Sequence, residues 1–298
     1  MSKRAWLKGG LAAALLFVAA VVLFESGVLV RWMATPSDWQ PEPMPELEMS
    51  CSTEDAPLPW SYCVHRTPGS TSRDLLVHFH GRRGTARWWN DATYYTGELY
   101  RHWRAEGVQP PTVVSISFGP LWVLVAEHAD ALGPILDRAT EHAATWAGHD
   151  FDRTHLVGES MGGYNALLAG LQHPNRFDRV AALCPPLSTA SPFGPELFER
   201  MGESAALEAF MLLSFSRAFF ADDADWRRQD PFARIDGGAA FEPALHLSCG
   251  THDPWGCASG STAIAHALEG RGQSPELRLL DDGHCAIDDA ALADFLTR

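Results

Sequence analysis

The sequence is short of positive charge. Of its 298 residues, 23 are Lys or Arg against 37 Asp or Glu, for a formal net charge of −14. A surface this acidic repels phosphate backbones, so no nucleic-acid partner is expected. None of the six cysteines stands in a C-x-x-C pair, and their spacing offers no zinc site. No unit recurs at a period of roughly 20–50 residues, which excludes solenoid and propeller architectures. Charged residues are sparse overall, at 20% against 46% apolar. That balance belongs to a globular chain and excludes disorder over most of its length. The length suits one large domain or two small ones, with a core of useful size. Eleven Trp and fifteen Phe supply wide apolar contacts or an aromatic-lined pocket.

A long apolar run occurs at the N-terminus. Lys3, Arg4 and Lys8 precede an uncharged stretch from Gly9 to Phe24, which Val28–Val30 extends past Glu25 and Ser26. Gly9 to Val30 is 22 residues, enough to span a bilayer. Only Arg31 follows closely, so the positive-inside bias leaves the N-terminus in the cytoplasm. Glu25, Trp32 and Met33 are badly placed for a small-x-small cleavage site. Residues 1–34 are therefore expected to form an uncleaved signal anchor, a membrane contact that puts the rest of the chain on the periplasmic or extracellular side. The alternative is a cleaved signal peptide and secretion. No Cys follows the run closely, so no lipid attachment is expected. Pro36, Pro41, Pro43 and Pro45, among acidic residues, make 35–45 an extended linker.

An exported chain with six cysteines invites disulfides. Cys51 and Cys63 flank a Pro-rich turn between two strand-like runs and suit a bridge. Cys249, Cys257 and Cys285 lie near the chemistry described below, where a bridge would staple loops. Free buried thiols are the alternative.

From residue 46 to 298 short apolar runs alternate with helix-length segments. Leu75–His80, Thr112–Phe118, Thr154–Val157, Val180–Leu183, Leu245–Cys249 and Leu277–Leu280 each end near Gly, Pro or Asp, as buried parallel strands do. Asp91–Glu106, His128–Ala147, Met161–His173, Ser261–Gly270 and Ala286–Thr297 have helical length. This alternation predicts an α/β fold with a mostly parallel central sheet and helices on both faces. Residues 46–66 read as a leading antiparallel hairpin. Residues 187–240, rich in Phe, Pro and acids and with a helical stretch around Glu203–Phe220, break the rhythm and read as a lid or cap insertion.

Chemistry enters at Gly158-Glu159-Ser160-Met161-Gly162, a G-x-S-x-G between an apolar strand and a helix. Glycines at this spacing let the chain turn sharply, exposing Ser160 at the start of the helix. A serine nucleophile needs a histidine base and an acid to orient it. His284, in Asp281-Asp282-Gly283-His284, follows the last strand. Asp253, in Cys249-Gly250-Thr251-His252-Asp253, follows the penultimate one. Asp281 and Asp282 sit too near the His loop to reach round the ring, and Asp236 lies in the insertion. The oxyanion donors are expected to be the backbone amides of Met161 and of Arg82 in His80-Gly81-Arg82-Arg83-Gly84. The guanidiniums of Arg82 and Arg83 read as solvated. His78 and His80 alternate on one strand and read as buried, hydrogen-bonded side chains rather than a metal pair. Trp88, Trp89, Tyr94 and Tyr95, and Phe210, Phe215, Phe219 and Phe220 in the insertion, either line a pocket or pack the core.

The G-E-S-M-G-G elbow, the H-G-x-x-G loop, the S-I-S-F-G run and the G-T-x-D and D-G-H segments resemble the α/β-hydrolase superfamily. More narrowly, they resemble the esterase group that includes esterase D-type enzymes, feruloyl esterases and mycolyl-transferases. The resemblance covers roughly residues 46–298. It implies an α/β-hydrolase fold and a serine esterase acting on small-molecule, lipid or aryl esters through an acyl-enzyme, with Ser160, Asp253 and His284 as triad and no cofactor or metal. The same triad serves an acyltransferase. A non-catalytic scaffold on this fold is the remote alternative, disfavoured because all three triad members are present.

Overall fold

The computed structural model describes residues 38–119, 126–194 and 219–298. The segment 46–66 forms strands β1 (Glu48–Glu54) and β2 (Trp60–Arg66), and the six apolar runs become β3 (Asp74–Phe79), β4 (Thr112–Ser117), β5 (Arg153–Glu159), β6 (Arg179–Leu183), β7 (Ala244–Gly250) and β8 (Glu276–Leu280). They form one sheet in the order β1-β2-β4-β3-β5-β6-β7-β8. β2 runs antiparallel to both neighbours, and the other pairings are parallel. Every residue of β3 and β4 is buried. These strands are covered on both faces, which is why their sequences lack polar alternation.

The helices are α1 (Tyr95–Ala105), α2 (Leu132–Ala147), α3 (Met161–Gln172), α4 (Asp223–Gln229), α5 (Pro231–Asp236), α6 (Cys257–Glu269) and α7 (Asp289–Thr297). Successive strand side chains point to opposite faces, so β3 feeds two cores. Leu75, Val77 and Phe79 join Ile135 of α2, Leu167 of α3 and Ile264 of α6. Leu76 joins Leu99 of α1 and Phe295 of α7. Asp222, Asp230 and Asp288 cap α4, α5 and α7 by accepting a backbone N–H three residues on, each cap typically contributing ~1 kcal/mol.

The hairpin expected in 46–66 is β1–β2, with Cys51 opposite Cys63 in register and bridged to it. The helix expected from Asp91 begins at Tyr95. Asp91 Oδ1 instead accepts the Thr93 amide and hydroxyl, both at 2.9 Å, and ties 91–93 into a turn. The linker boundary falls earlier than its proline content suggests. Glu42 O accepts Ala92 N at 2.8 Å, Met44 N donates to Asn90 Oδ1 at 2.8 Å, and the Met44 side chain is buried in the second core. The anchor expected in 1–34 lies outside the described residues; among those described, no helix is long and apolar enough to cross a membrane. Of the expected insertion, 195–218 also lie outside them. Its later part is core: Phe220, Trp226, Phe232 and Ile235 are buried in the first cluster.

Candidate active site

β5 runs straight into α3, and Ser160 stands at the junction with φ 55° and ψ −118°. Side chains other than glycine rarely occupy this backbone region, so the surroundings must hold it. They do so through Ser160 N, which donates to Leu183 O at 2.7 Å. Gly162 permits the turn for a different reason. A Cβ there would lie 1.8 Å from Phe79 O, so only glycine lets the first turn of α3 press against the end of β3.

The other two expected triad members arrive on neighbouring loops. Ser160 Oγ lies 3.1 Å from His284 Nε2, and His284 Nδ1 lies 2.6 Å from Asp253 Oδ2. The Asp253 side chain is fully buried while that of His284 is 30% exposed. Burial pushes the Asp253 carboxyl up, but hydrogen bonds from His284, from Trp255 N at 2.7 Å and from the Cys249 thiol at 3.4 Å outweigh it and hold the carboxyl below its usual range. The acid and base loops meet because Gly250 has no side chain: a Cβ would lie 2.0 Å from Gly283 O. Thr251 N donates to Leu280 O and His252 N to Asp282 O across the same contact. The rival acids are committed elsewhere. Asp281 pairs with His252 at 2.8 Å, Asp282 accepts its neighbour Gly283 N, and Asp236 ends α5.

The base loop carries a staple. Cys285, next to His284, is bridged to Cys184 at the end of β6. Cys249 and Cys257 are free and buried. The spacing drew attention to a bridge among 249, 257 and 285, but the partner of Cys285 is brought over by the sheet from 101 residues away. Cys249, Cys257 and Asp253 bring their ligating atoms within 4.8 Å of one another, a convergence the spacing did not suggest.

Glu159, the residue before the serine, is the organising side chain that sequence reasoning missed. It is 1% exposed. Its Oε1 accepts Gly81 N at 2.7 Å, and its Oε2 accepts the Tyr95 hydroxyl at 3.1 Å and lies 2.9 Å from His78 Nε2. A charged residue closing an apolar strand was the available signal. Its bond engages the Gly81 amide, one residue before Arg82. Both arginine side chains of the loop are exposed, as expected. His78 is buried and bonded to Ser115 and Glu159. Burial pushes the pKa of His80 down to about 4.

Ser160 and His284 open into a cleft of about 640 Å³ that is also lined by Arg82, Trp88, Tyr94 and Trp255. Tyr95 lines it too, whereas Trp89 is core. None of the described residues from 187–240 borders the cleft. Phe220 is core and Phe219 packs against it; Phe210 and Phe215 lie outside the described residues.

A family model described as putative esterase matches residues 125–271, a span holding Ser160 and Asp253 but not Arg82 or His284. The chain is 28% identical over 140 residues to the diacylglycerol acyltransferase/mycolyltransferase Ag85B of Mycobacterium intracellulare, covering 47% of this chain and 41% of that protein. It thus spans about four-tenths of the length of the curated relatives it matches. Among solved structures, a ferulic acid esterase superposes with TM-score 0.59 at 15% identity, over 85% of this chain and 98% of that one. Brefeldin A esterase, a bacterial homologue of human hormone-sensitive lipase, superposes with TM-score 0.62 at 18% identity, over 94% and 84%. The chain has the α/β-hydrolase fold. In this sheet β3 and β5 are neighbours, as are β7 and β8, with β6 between the two pairs, and the segments that follow these four strands carry Arg82, Ser160, Asp253 and His284.

Proposed function

We propose that this α/β-hydrolase cleaves carboxylic esters through an acyl-enzyme on Ser160. The observation that carries the reading is the unbroken hydrogen-bond chain from Ser160 through His284 to buried Asp253. Ser160 Oγ attacks the ester carbonyl carbon as His284 Nε2 takes its proton. The tetrahedral oxyanion is stabilised by the amides of Arg82 and Met161, each such donor typically contributing about 10²–10³ in turnover. His284 then protonates the departing alcohol, leaving the acyl group on Ser160. Water, deprotonated by the same imidazole, releases the acid. Asp253 holds the imidazole tautomer and stabilises its cation. The test is labelling by a fluorophosphonate probe. Wild type is expected to label and Ser160→Ala not to, with ester turnover falling on the order of 10⁶ in kcat. Turnover that survives in the purified variant sinks the reading, and a folded wild type that does not label supports a non-catalytic scaffold.

Acyl transfer is the second reading. It is favoured by the 140-residue match to a protein named for diacylglycerol acyl and mycolyl transfer. An alcohol would replace water at the second step, and product analysis with added alcohol separates the two.

We also place the domain outside the cytoplasm, held by residues 1–34. The apolar run of 22 residues supports this, and so do the two disulfides, which persist in oxidising compartments. The full chain is expected to stay with membranes through a high-salt wash. Recovery as a soluble species starting near residue 35 favours cleavage instead.

A further inference from the structure

The chain that leads from the apolar N-terminal run joins the domain at the rim of the catalytic cleft. The Trp39 ring meets that of Trp88 edge-on at 5.3 Å, and Trp88 lies 6.0 Å from Tyr94. Trp88 and Tyr94 line the cleft with Ser160 and His284. The residues after Trp39 are fixed to the same stretch of chain. Glu42 N donates to Asp91 Oδ1 at 3.3 Å, Met44 N donates to Asn90 Oδ1 at 2.8 Å, and Glu46 pairs with Arg104 of α1. Nine peptide units separate Trp39 from Val30, where the apolar run ends. Whatever their conformation, they reach at most about 30 Å. A domain of about 250 residues is roughly 45 Å across. The tether is shorter than the domain is wide, so the rim cannot turn to the pole farthest from a bilayer that holds the run. The rim also differs in charge from the rest of this acidic chain. Arg82, Arg83 and Arg87 are exposed within six residues of one another, in a chain of net charge −14. Arg82 lines the cleft, and Arg87 and Trp39 border a neighbouring hollow of about 460 Å³. Trp39 is itself 42% exposed.

We propose that this rim rests on the bilayer that anchors the chain and that the cleft takes its ester from that bilayer. The substrate is then an ester held in the membrane by an alkyl chain, with Trp39, Arg83 and Arg87 seating the rim among the headgroups. The inference rests on the ester-hydrolase and anchor readings above. Each part of the rim suits that surface. An indole has an apolar body and a polar N–H, and such rings settle at the level of the headgroups. Arginines are drawn to anionic headgroups within about a Debye length. The rest of the chain is acidic and is repelled by the same headgroups, so charge turns the rim toward them. An ester dissolved in the bilayer keeps its polar carbonyl near the headgroups, because burial in hydrocarbon is costly. The carbonyl is thus presented at the depth where the cleft opens. A short tether adds a high effective concentration over its own membrane, an advantage that an ester free in water does not share.

The test reconstitutes the full chain in vesicles of dialkyl-ether phosphatidylcholine, with or without dialkyl-ether phosphatidylglycerol, lipids that carry no ester bond to cleave. Three esters are compared: ethyl butyrate, which dissolves in water, and hexadecyl butyrate and ethyl stearate, which stay in the bilayer. The last two place the alkyl chain on the alcohol and on the acyl side. Each is supplied once in the enzyme's own vesicles and once in separate ones. At least one bilayer ester is expected to turn over about tenfold or more faster in the enzyme's own vesicles. Phosphatidylglycerol is expected to widen that ratio. In Trp39→Ala and in Arg83→Gln with Arg87→Gln, each checked by thermal melt to be folded, the ratio is expected to fall severalfold while ethyl butyrate turnover stays within about twofold. Equal turnover of the bilayer esters in own and separate vesicles overturns the proposal. So does turnover of ethyl butyrate alone, or a ratio that both sets of substitutions leave unchanged. No turnover of any ester together with no fluorophosphonate labelling sinks instead the hydrolase reading, and an active chain that leaves the vesicles sinks the anchor reading.

Discussion

Glu159 occupies the variable second place of the G-x-S-x-G, where the motif asks for nothing in particular. In the fold it is the buried acceptor of three donors, and the Gly81 amide is one of them. That contact ties down the backbone immediately before Arg82, the residue whose amide is proposed above as an oxyanion donor. Glu159→Ala strands those donors in the interior, each typically costing about 1–3 kcal/mol. Urea unfolding is expected to show a loss of about 3 kcal/mol or more, and kcat/KM is expected to fall by about 10² as the oxyanion loop loosens. An unchanged kcat/KM in a folded variant removes Glu159 from the positioning of that loop. The contrast with the triad shows what the sequence makes legible at this scale. That Ser160, Asp253 and His284 come together in one hydrogen-bond chain could be read because a triad allows only restricted residue types, standing where strands end. Glu159 and Cys249 could not, because their roles lie in what they touch, and Glu159 touches a loop 78 residues away.

The strands and most helices were legible for the same kind of reason, a short apolar run that ends abruptly or a helix-length segment between two of them. Element ends were less so, since local side chains decide them: Asp91 delays α1 by tying its own turn, and Asp288 sets the start of α7 by capping it. Least legible was which element covers which, and so which cysteines meet. Cys184 and Cys285 meet because β6 ends beside the loop that carries His284. The two bridges therefore predict different losses. Cys184→Ala with Cys285→Ala opens a loop of about 100 residues, which in a chain-entropy account is worth about 4–5 kcal/mol, and engineered cases often deliver less. A large drop in Tm is expected together with a fall in kcat/KM, because residue 285 adjoins the base. Cys51→Ala with Cys63→Ala is expected to lower Tm less and to leave kcat/KM within about twofold, since that hairpin sits at the far edge of the sheet. Equal effects of the two pairs on kcat/KM count against the staple.

For the molecule as a whole, the net charge of −14 is readable from composition, but which carboxylate the fold buries is not. Asp230 is 2% exposed. It caps α5 through Ala233 N at 3.0 Å and accepts the Tyr164 hydroxyl of α3 at 3.0 Å, joining two helices over the first core. Burial is the largest influence on it and pushes its pKa up to about 7 in spite of those bonds. Asp253 is shifted the other way, held low by its partners. The two make opposite demands on pH. A carboxyl whose folded pKa is raised binds its proton more tightly in the native state, so stability falls as pH climbs from the unfolded value near 4 through about 7, and the full cost is present above that. A carboxyl whose folded pKa is lowered adds stability above its unfolded value and loses it as pH falls through the folded one. The contributions of these two carboxyls are jointly most favourable on the acidic side of neutral. Asp230→Asn keeps the cap and an acceptor for Tyr164 and removes the titration. Its Tm is expected to match that of wild type near pH 3, below both values, and to exceed it at pH 8 by an amount corresponding to on the order of a few kcal/mol. A wild type and a variant whose melting temperatures run parallel from pH 5 to 8 show that Asp230 is already ionised across that range, and the cost of its burial must then be met by the dipoles around it rather than by a proton.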